Sequence, residues 1–500
     1  MSSRSLVLFN RDLRVADHPA LCAAVELGEV LPVFVLSPAM LTRCGANRRS
    51  YLRDALLSLD DALQARGSRL WTAVGDPAME ALRLAQVNAI DAIHVSQDYS
   101  QLARARESAL QDGAGHAGIA VRFYEGVAAV APGTIQPSGR SSGSAAFQVF
   151  TPYSRRWLEA GKRTPLPSPK RLKWAAPVID ALDLQTGLRH VEQALPVAAP
   201  SAQLPRGGEQ AARLRLRAWL RRGVQDYDTL RDQMDVDGTS RISADLHFGC
   251  LSAAQLIYGA RNLPTSAGWL RQLCWRDFFL QALAAFPNLP TKPFQPRARA
   301  QETFAWSAQD DTGLRAGPGD SDPRYAEPRY RAWCDGNTGI PIVDAGMRQL
   351  LAEGWMHNRA RMLVASYLTR QLQIDWRLGI AHFNHWLVDG DLAVNSGNWQ
   401  WAAGTGHDRR PGRRFNLLRQ ALRFDPEGDY VRRYVPALRD IAGPAVHQRI
   451  WRFHVVCSCY SPAAGGKNGV HHGRWVWHRP WLCSAIPARR RQRAAVRTRC

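Results

Sequence analysis

Hydrophobic and polar positions follow two different rhythms along this chain, and the change between them divides it. Short apolar runs at 6–9, 30–36, 69–74, 92–95 and 121–124 recur through roughly the first 130 residues, most of them followed by a stretch with helical spacing. Strands that alternate with helices predict an open parallel sheet, so the N-terminal part reads as a Rossmann-like α/β domain. From about residue 211 the pattern turns helical, in LRLRAWLRRGVQDYDTLRDQM, TSRISADLHFG and SAGWLRQLCWRDFFLQAL. Between the two, a Gly/Ser loop over 132–144 and prolines at 165, 167, 169, 177, 196, 200 and 205 mark a connector with little regular structure. The expected organisation is an α/β domain over 1–131, a loop and connector over 132–210, an all-helical domain over 211–445 and a tail of different character over 446–500.

A chain of 500 residues, 45% of them hydrophobic, buries a sizeable core and is expected to hold two or more domains. No apolar run reaches the ~20 residues of a membrane span, and no small-residue cleavage site follows the apolar N-terminal stretch, so no membrane partner and a cytoplasmic chain are expected. Nine cysteines without CxxC spacing favour reduced thiols, with Cys22, Cys250 and Cys274 expected in the core. The formal charge of +22 points to an acidic polymer such as nucleic acid. That charge is unevenly placed. After Asp440 there is no acidic residue but eleven of the 65 basic ones, which leaves 54 against 43, or +11, before it. The tail also mixes Trp, Cys and His in CSCYSPAAGGKNGVHHGRW, with no helical or strand period. Three readings of it stand open: a nucleic-acid-binding tail, a metal knuckle at Cys457, Cys459, His471 and His472, and translation in the wrong frame. The last fits the composition best, and no function is assigned to 446–500.

Candidate chemistry gathers between 227 and 413. Thr239, Ser240, Arg241, Ile242 and Ser243 place hydroxyls and a turn where a helix can begin, which offers free N–H groups to an anion; the bland alternative is a helix cap. Asp389 and Asp391 flank Gly390, and two carboxylates this close need cations or donors to hold them; alone, the motif reads as a turn. Trp399 and Trp401, two apart on a helix, face different directions, so one looks inward while the other meets a ligand. Gly113, Gly115 and Gly118 satisfy GxGxxG but follow a charged helical stretch rather than a strand, so no phosphate loop is expected there.

Taken together, TGIPIVDAGMRQL, GWMHNRARM, IDW and DGDLAVNSGNWQW resemble the photolyase/cryptochrome family, nearest its class I enzymes for cyclobutane pyrimidine dimers, over residues 6–445. The resemblance implies FAD held in a U shape in the helical domain and DNA containing pyrimidine dimers as partner. It also implies light-driven electron transfer from reduced FAD to a flipped-out dimer. Carried over by motif, the cofactor residues are Tyr227, Thr239, Ser240, Arg241, Ile242, Ser243, Gln272, Arg276, Arg361, Asp389, Gly390, Asp391 and Asn395. Among them Arg361 pairs with one carboxylate of the Asp-Gly-Asp turn, the other meets the flavin or ribose, and Asn395 lies beside the reactive ring nitrogen. Trp399, Trp376 and Trp306 match the relay that brings an electron from the surface to oxidised flavin. An insertion containing GLRAGPGDSDPRY disturbs the spacing at Trp306, and Trp333 is the fallback. The lesion residues are Gln272, Trp275, Asn358, Arg359, Met362, Trp401 and Arg413, with Trp275 and Trp401 as the aromatic walls.

One departure stands out: Gln272 occupies a position where the family usually has a Glu. Gln keeps an acceptor and adds donors but carries no negative charge, so retained binding with an altered repair yield is expected. Leu102 and Ala103 replace the Asn-Glu pair of folate-binding members. Any second, antenna chromophore is therefore expected to be a deazaflavin before a folate, with another flavin or an empty pocket still open. The amide at 395 and the WMHNR motif favour repair over the main rival, a cryptochrome-like blue-light receptor without repair activity. A single-strand DNA binder rests on charge and aromatics alone. By the same resemblance the chain is expected to be a monomer.

Overall fold

In the computed structural model the described residues are 3–137, 146–174, 185–186, 191, 195, 200–295, 328–407 and 415–448. Trp306, Arg413 and the tail readings at 449–500 lie outside them. Residues 1–453 form one compact unit.

Five strands, β1 (Ser3–Phe9), β2 (Gly28–Leu36), β3 (Trp71–Val74), β4 (Ala92–Ser96) and β5 (Ala120–Tyr124), pair in parallel in the order β5-β4-β1-β2-β3. Two short strands add to this sheet: β6 (Lys173–Trp174) pairs in parallel with β2, and β7 (Gln185–Thr186) pairs antiparallel with β3. The helices that link the parallel strands are α1 (Pro19–Leu27), α2 (Pro38–Arg43), α3 (Ala46–Gln64), α4 (Pro77–Val87) and α5 (Gln101–Ala117). Alternation along β1 explains its unbroken apolar run. Leu6 and Leu8 join a core with Leu31, Val33 and the α4 and α5 residues Ala81, Leu82 and Leu110. Val7 and Phe9 face the other way, into a core shared with Leu52 and Leu56 of α3 that continues to Trp269 and Phe278 of the helical region. The GxGxxG match falls at the end of α5, and Gly118 is its left-handed cap at φ 68°.

The helical region comprises α6 (Phe150–Glu159), α7 (Glu209–Ala218), α8 (Tyr227–Leu230), α9 (Ser243–His247), α10 (Ala253–Ala260), α11 (Ala267–Ala285), α12 (Pro328–Cys334) and α13 (Pro341–Glu353). It continues with α14 (Asn358–Ser366), α15 (Trp376–Trp386), α16 (Leu392–Ala403), α17 (Leu417–Phe424) and α18 (Asp429–Tyr434). Helix α11 is central, because its residues from Asp277 to Leu283 are buried without a break. Its Asp277 fastens the two regions: the carboxylate accepts from Trp157 Nε1 at 2.9 Å and from the backbone N–H groups of Ala129 and Val130 at 3.0 Å each. Glycine lets α16 approach on both sides. A Cβ at Gly397 would lie 2.1 Å from Phe279 Cδ1 of α11, and one at Gly379 of α15 would lie 2.1 Å from Trp399 Cη2.

Cys250 and Cys274 are buried as expected, but Cys22 is only partly covered. It sits on the outer face of α1, where its thiol reaches Pro167 O at 3.6 Å.

Candidate active site

The Asp-Gly-Asp turn precedes α16, and two arginines hold its two carboxylates apart. Asp389 accepts from Arg361 Nη2 at 3.2 and 2.9 Å, and Arg361 Nε is anchored on Met356 O at 2.8 Å. Asp391 caps α16: Oδ1 accepts from the N–H of Ala393 at 3.0 Å and of Val394 at 3.1 Å. Its Oδ2 accepts from Arg11, which comes from the loop after β1 and also donates to Asp98. Burial pushes the Asp391 carboxyl up, but the Arg11 guanidinium and the His247 imidazole outweigh that and hold it well below the usual carboxylate range. Three donors already occupy Asp391, which leaves about one of its roughly four acceptor positions for a ligand. The expected flavin or ribose contact is therefore narrowed. Asn395 lies one turn into α16, buried, with Nδ2 donating to Asn384 Oδ1 at 2.7 Å.

The hydroxyl loop enters α9. Arg241 holds a left-handed backbone, φ 48°, unusual for a residue with a side chain. Its guanidinium is fixed by Glu353 at 2.6 Å and Asp237 at 2.7 Å and lies 4.2 Å over the Trp355 ring. Ser240 Oγ accepts from Trp269 Nε1 at 3.2 Å, Ile242 is buried, and Ser243 is exposed. Two observations fit a polar, anionic cofactor group. Among the described residues, Thr239 Oγ1 is buried without a hydrogen-bond partner and no side chain caps the start of α9, so its first N–H groups suit an anionic group. Tyr227 is buried edge-on to Trp219, and burial raises its phenol. Arg276 is committed to Val127 O at 2.8 Å, which ties α11 to the α/β region.

Trp399 looks inward, packed edge-on against Phe383 at 5.0 Å and Trp333 at 6.1 Å, whereas Trp401 is half-buried near Phe415. Trp376 is buried, with no partner for Nε1 among the described residues and Arg377 over its ring at 4.7 Å. Trp333 is 0% exposed, and its Nε1 donates to Val364 O at 3.1 Å. As placed, the Trp333 ring does not reach the surface, whereas Trp306 lies outside the described residues. Trp275 lies flat on Phe150 with centroids 3.4 Å apart, and the helices bearing Trp275 and Trp401 meet at Phe279 and Gly397. Asn358 and Gln272 are exposed, and Met362 Sδ is 3.9 Å from both Asn358 Nδ2 and Arg359 Nη1. Arg359 is not free for DNA phosphate as it stands, because Asp232 takes it with two bonds of 2.8 Å. Arg11, His247 and Asn384 carry no local motif. Arg11 and Asp391 are 380 positions apart, and no sequence signal links them.

Comparison with known proteins decides what this arrangement belongs to. A family described as DNA photolyase matches residues 5–170, and one described as FAD binding domain of DNA photolyase matches 269–460. The deoxyribodipyrimidine photo-lyase of Streptomyces griseus is 40% identical over 453 residues, covering 89% of this chain and 92% of the relative. The chain belongs to the DNA photolyase family. A bacterial class III photolyase from Agrobacterium tumefaciens superposes with a TM-score of 0.78 at 31% identity, over 90% of this chain and 89% of that one. An archaeal photolyase from Sulfolobus tokodaii, solved with two FAD molecules, superposes with a TM-score of 0.73 at 29% identity, over 89% and 93%. The photolyase match runs to residue 460, past the compositional break expected near 445. FAD is accordingly the cofactor of the helical region; the Asp-Gly-Asp turn lies within the matched residues and the hydroxyl loop at 239–243 precedes them. No helix among the described residues is long and apolar enough to cross a membrane.

Proposed function

We propose that this chain is a deoxyribodipyrimidine photo-lyase that binds DNA containing pyrimidine dimers and reverses them under light. The observation that carries this reading is the first turn of α16, where Asp391 and Asn395 stand beside the Arg361–Asp389 pair, in a chain related to photo-lyases over most of its length. Bound and reduced, FAD would supply the light-excited electron that splits the dimer. The protein's part is to hold, orient and shield. We assign the cofactor's phosphates to the uncapped start of α9 and Thr239, with Ser240, Arg241, Ile242 and Ser243 shaping the loop and Tyr227 closing it. Glu353 supports that role by keeping Arg241 in its left-handed turn. Asp389, Gly390, Asp391, Arg361 and Asn395 form the wall on the ring side, and Arg276 lies toward the cofactor's phosphates. Trp399 and Trp376 are the buried part of a reduction relay whose outer end we leave with Trp306. For the lesion, Trp275 and Trp401 offer apolar faces, Gln272, Asn358, Met362 and the Asp232-held Arg359 line the hole, and Arg413 is the cation at the phosphate rim.

An antenna chromophore, deazaflavin before folate, is proposed for the carboxyl ends of β1 and β4, where the strand order reverses. Arg106 supports this: Asn10 holds its Nη1 at 3.0 Å, while its buried Nε has no hydrogen-bond partner among the described residues. We further propose a cytoplasmic monomer organised in the 1–131, 132–210 and 211–445 domains. Dark binding to a short duplex with and without one thymine dimer tests the partner. The reading expects clear preference for the damaged duplex; equal affinity at fixed salt would leave only a general nucleic-acid binder.

A further inference from the structure

Asn384 is on the last turn of α15, and three contacts define its place. Its side-chain oxygen accepts from Asn395 Nδ2 at 2.7 Å. Its backbone oxygen accepts from Arg48 Nη2 of α3 at 2.7 Å, which brings the α/β region to the same point. A Cβ at Gly390 would lie 3.5 Å from Asn384 Oδ1, so this amide stands directly against the Asp-Gly-Asp turn. A carboxamide has one donor end and one acceptor end. With the Nδ2 end of Asn395 occupied by Asn384, the end left to meet a ligand is Oδ1, an acceptor.

We propose that Asn384 is a positioning residue that fixes the carboxamide of Asn395 with its oxygen toward the flavin, so that the site prefers the reduced cofactor. This rests on the photolyase reading of Asn395. The chemistry follows from the ring nitrogen beside that residue: it bears an N–H when flavin is reduced and only a lone pair when flavin is oxidised. An acceptor held against it favours the first form and repels the second. Without Asn384 the amide turns over freely and offers either end. Asn384 thus acts through Asn395 and on the equilibrium between redox states, a role that packing alone would not produce.

The test is a double-mutant cycle on the full chain loaded with FAD, read as the flavin midpoint potential by spectroelectrochemistry in the dark. Asn384→Leu keeps the shape and removes the acceptor. It is expected to lower the ratio of reduced to oxidised cofactor about tenfold at fixed poise, or about 30 mV for a two-electron couple. The same change made in Asn395→Leu should have no effect. An unmoved potential, or an equal shift in both backgrounds, overturns the positioning role. A wild-type chain that takes up no FAD overturns the cofactor reading beneath it, which is a separate failure. If Asn384→Leu does not fold, Asn384→Ala, smaller and helix-compatible, is carried through the same cycle and read by the same criteria.

Discussion

Replacing Arg361 by Ala should weaken the fold and the flavin site together. Asp389 has a side chain only 4% exposed, and Arg361, 25% exposed, is its ion-pair partner at 2.9 Å. Removing one member of a fully buried pair costs about 3–5 kcal/mol, because the other is left charged and dry. Water reaching the exposed quarter of the arginine site lowers that to about 2–3 kcal/mol. The lost bond from Arg361 Nε to Met356 O adds about 1 kcal/mol, for a total near 3–4 kcal/mol. Urea unfolding of the FAD-free chain at pH 7 measures the fold, and titration with FAD measures the site. A companion chain with Arg361→Leu and Asp389→Leu removes both charges and should lose less than the two single changes added together, by at least about 1 kcal/mol. A loss below about 0.5 kcal/mol in Arg361→Ala, or strict additivity in the double variant, would refute the idea that this pair resolves the crowding of two carboxylates.

Gly397→Ala sets a Cβ against Phe279 and should cost about 1–3 kcal/mol, seen as a lower melting temperature; an unchanged melting point would mean that α11 and α16 are not in close contact. His382 is buried, neither ring nitrogen has a hydrogen-bond partner among the described residues, and burial lowers its pKa to about 3. A depressed histidine favours the fold above about pH 6.5, and that contribution is lost as pH falls toward the folded value. His382→Phe should therefore flatten the fall in stability from pH 6.5 to 4 by about 1.4 kcal/mol per pH unit relative to the parent, and parallel profiles would contradict it. Gln272→Glu should change the quantum yield of repair while leaving the bound flavin's absorbance alone. An identical yield would show that the amide at 272 is immaterial.

What could be read from the sequence follows how local the cause is. The strands β1 to β5 formed where short apolar runs stood between helical segments, and β1 and β4, buried along most of their length, announce themselves by their own residues, whereas the two-residue β6 and β7 of the connector carried no such signal. The same locality exposed the glycine motif at 113–118 as a helix end. The Asp-Gly-Asp turn was legible by motif, yet its second arginine was not, because Arg11 reaches Asp391 from 380 positions away. Asn384 escaped for a similar reason: on α15 it looks like any polar residue, and only the crossing of α15 with α16 turns it toward Asn395. Exposure was also hidden. Trp333 stands as the fallback for the disturbed spacing at Trp306, and only the fold shows that its ring stacks on Tyr330 and Phe383, away from water. Arg359 reads as a free cation near the lesion until α14 brings it to Asp232.

The most direct test is repair of an oligonucleotide carrying one cyclobutane pyrimidine dimer, incubated with the full FAD-loaded, pre-reduced chain under blue light and in darkness. Loss of dimers in the light alone is the predicted result. A chain that holds reduced FAD and the damaged duplex but restores no dimer in the light would contradict photo-lyase activity and point to a light-sensing relative.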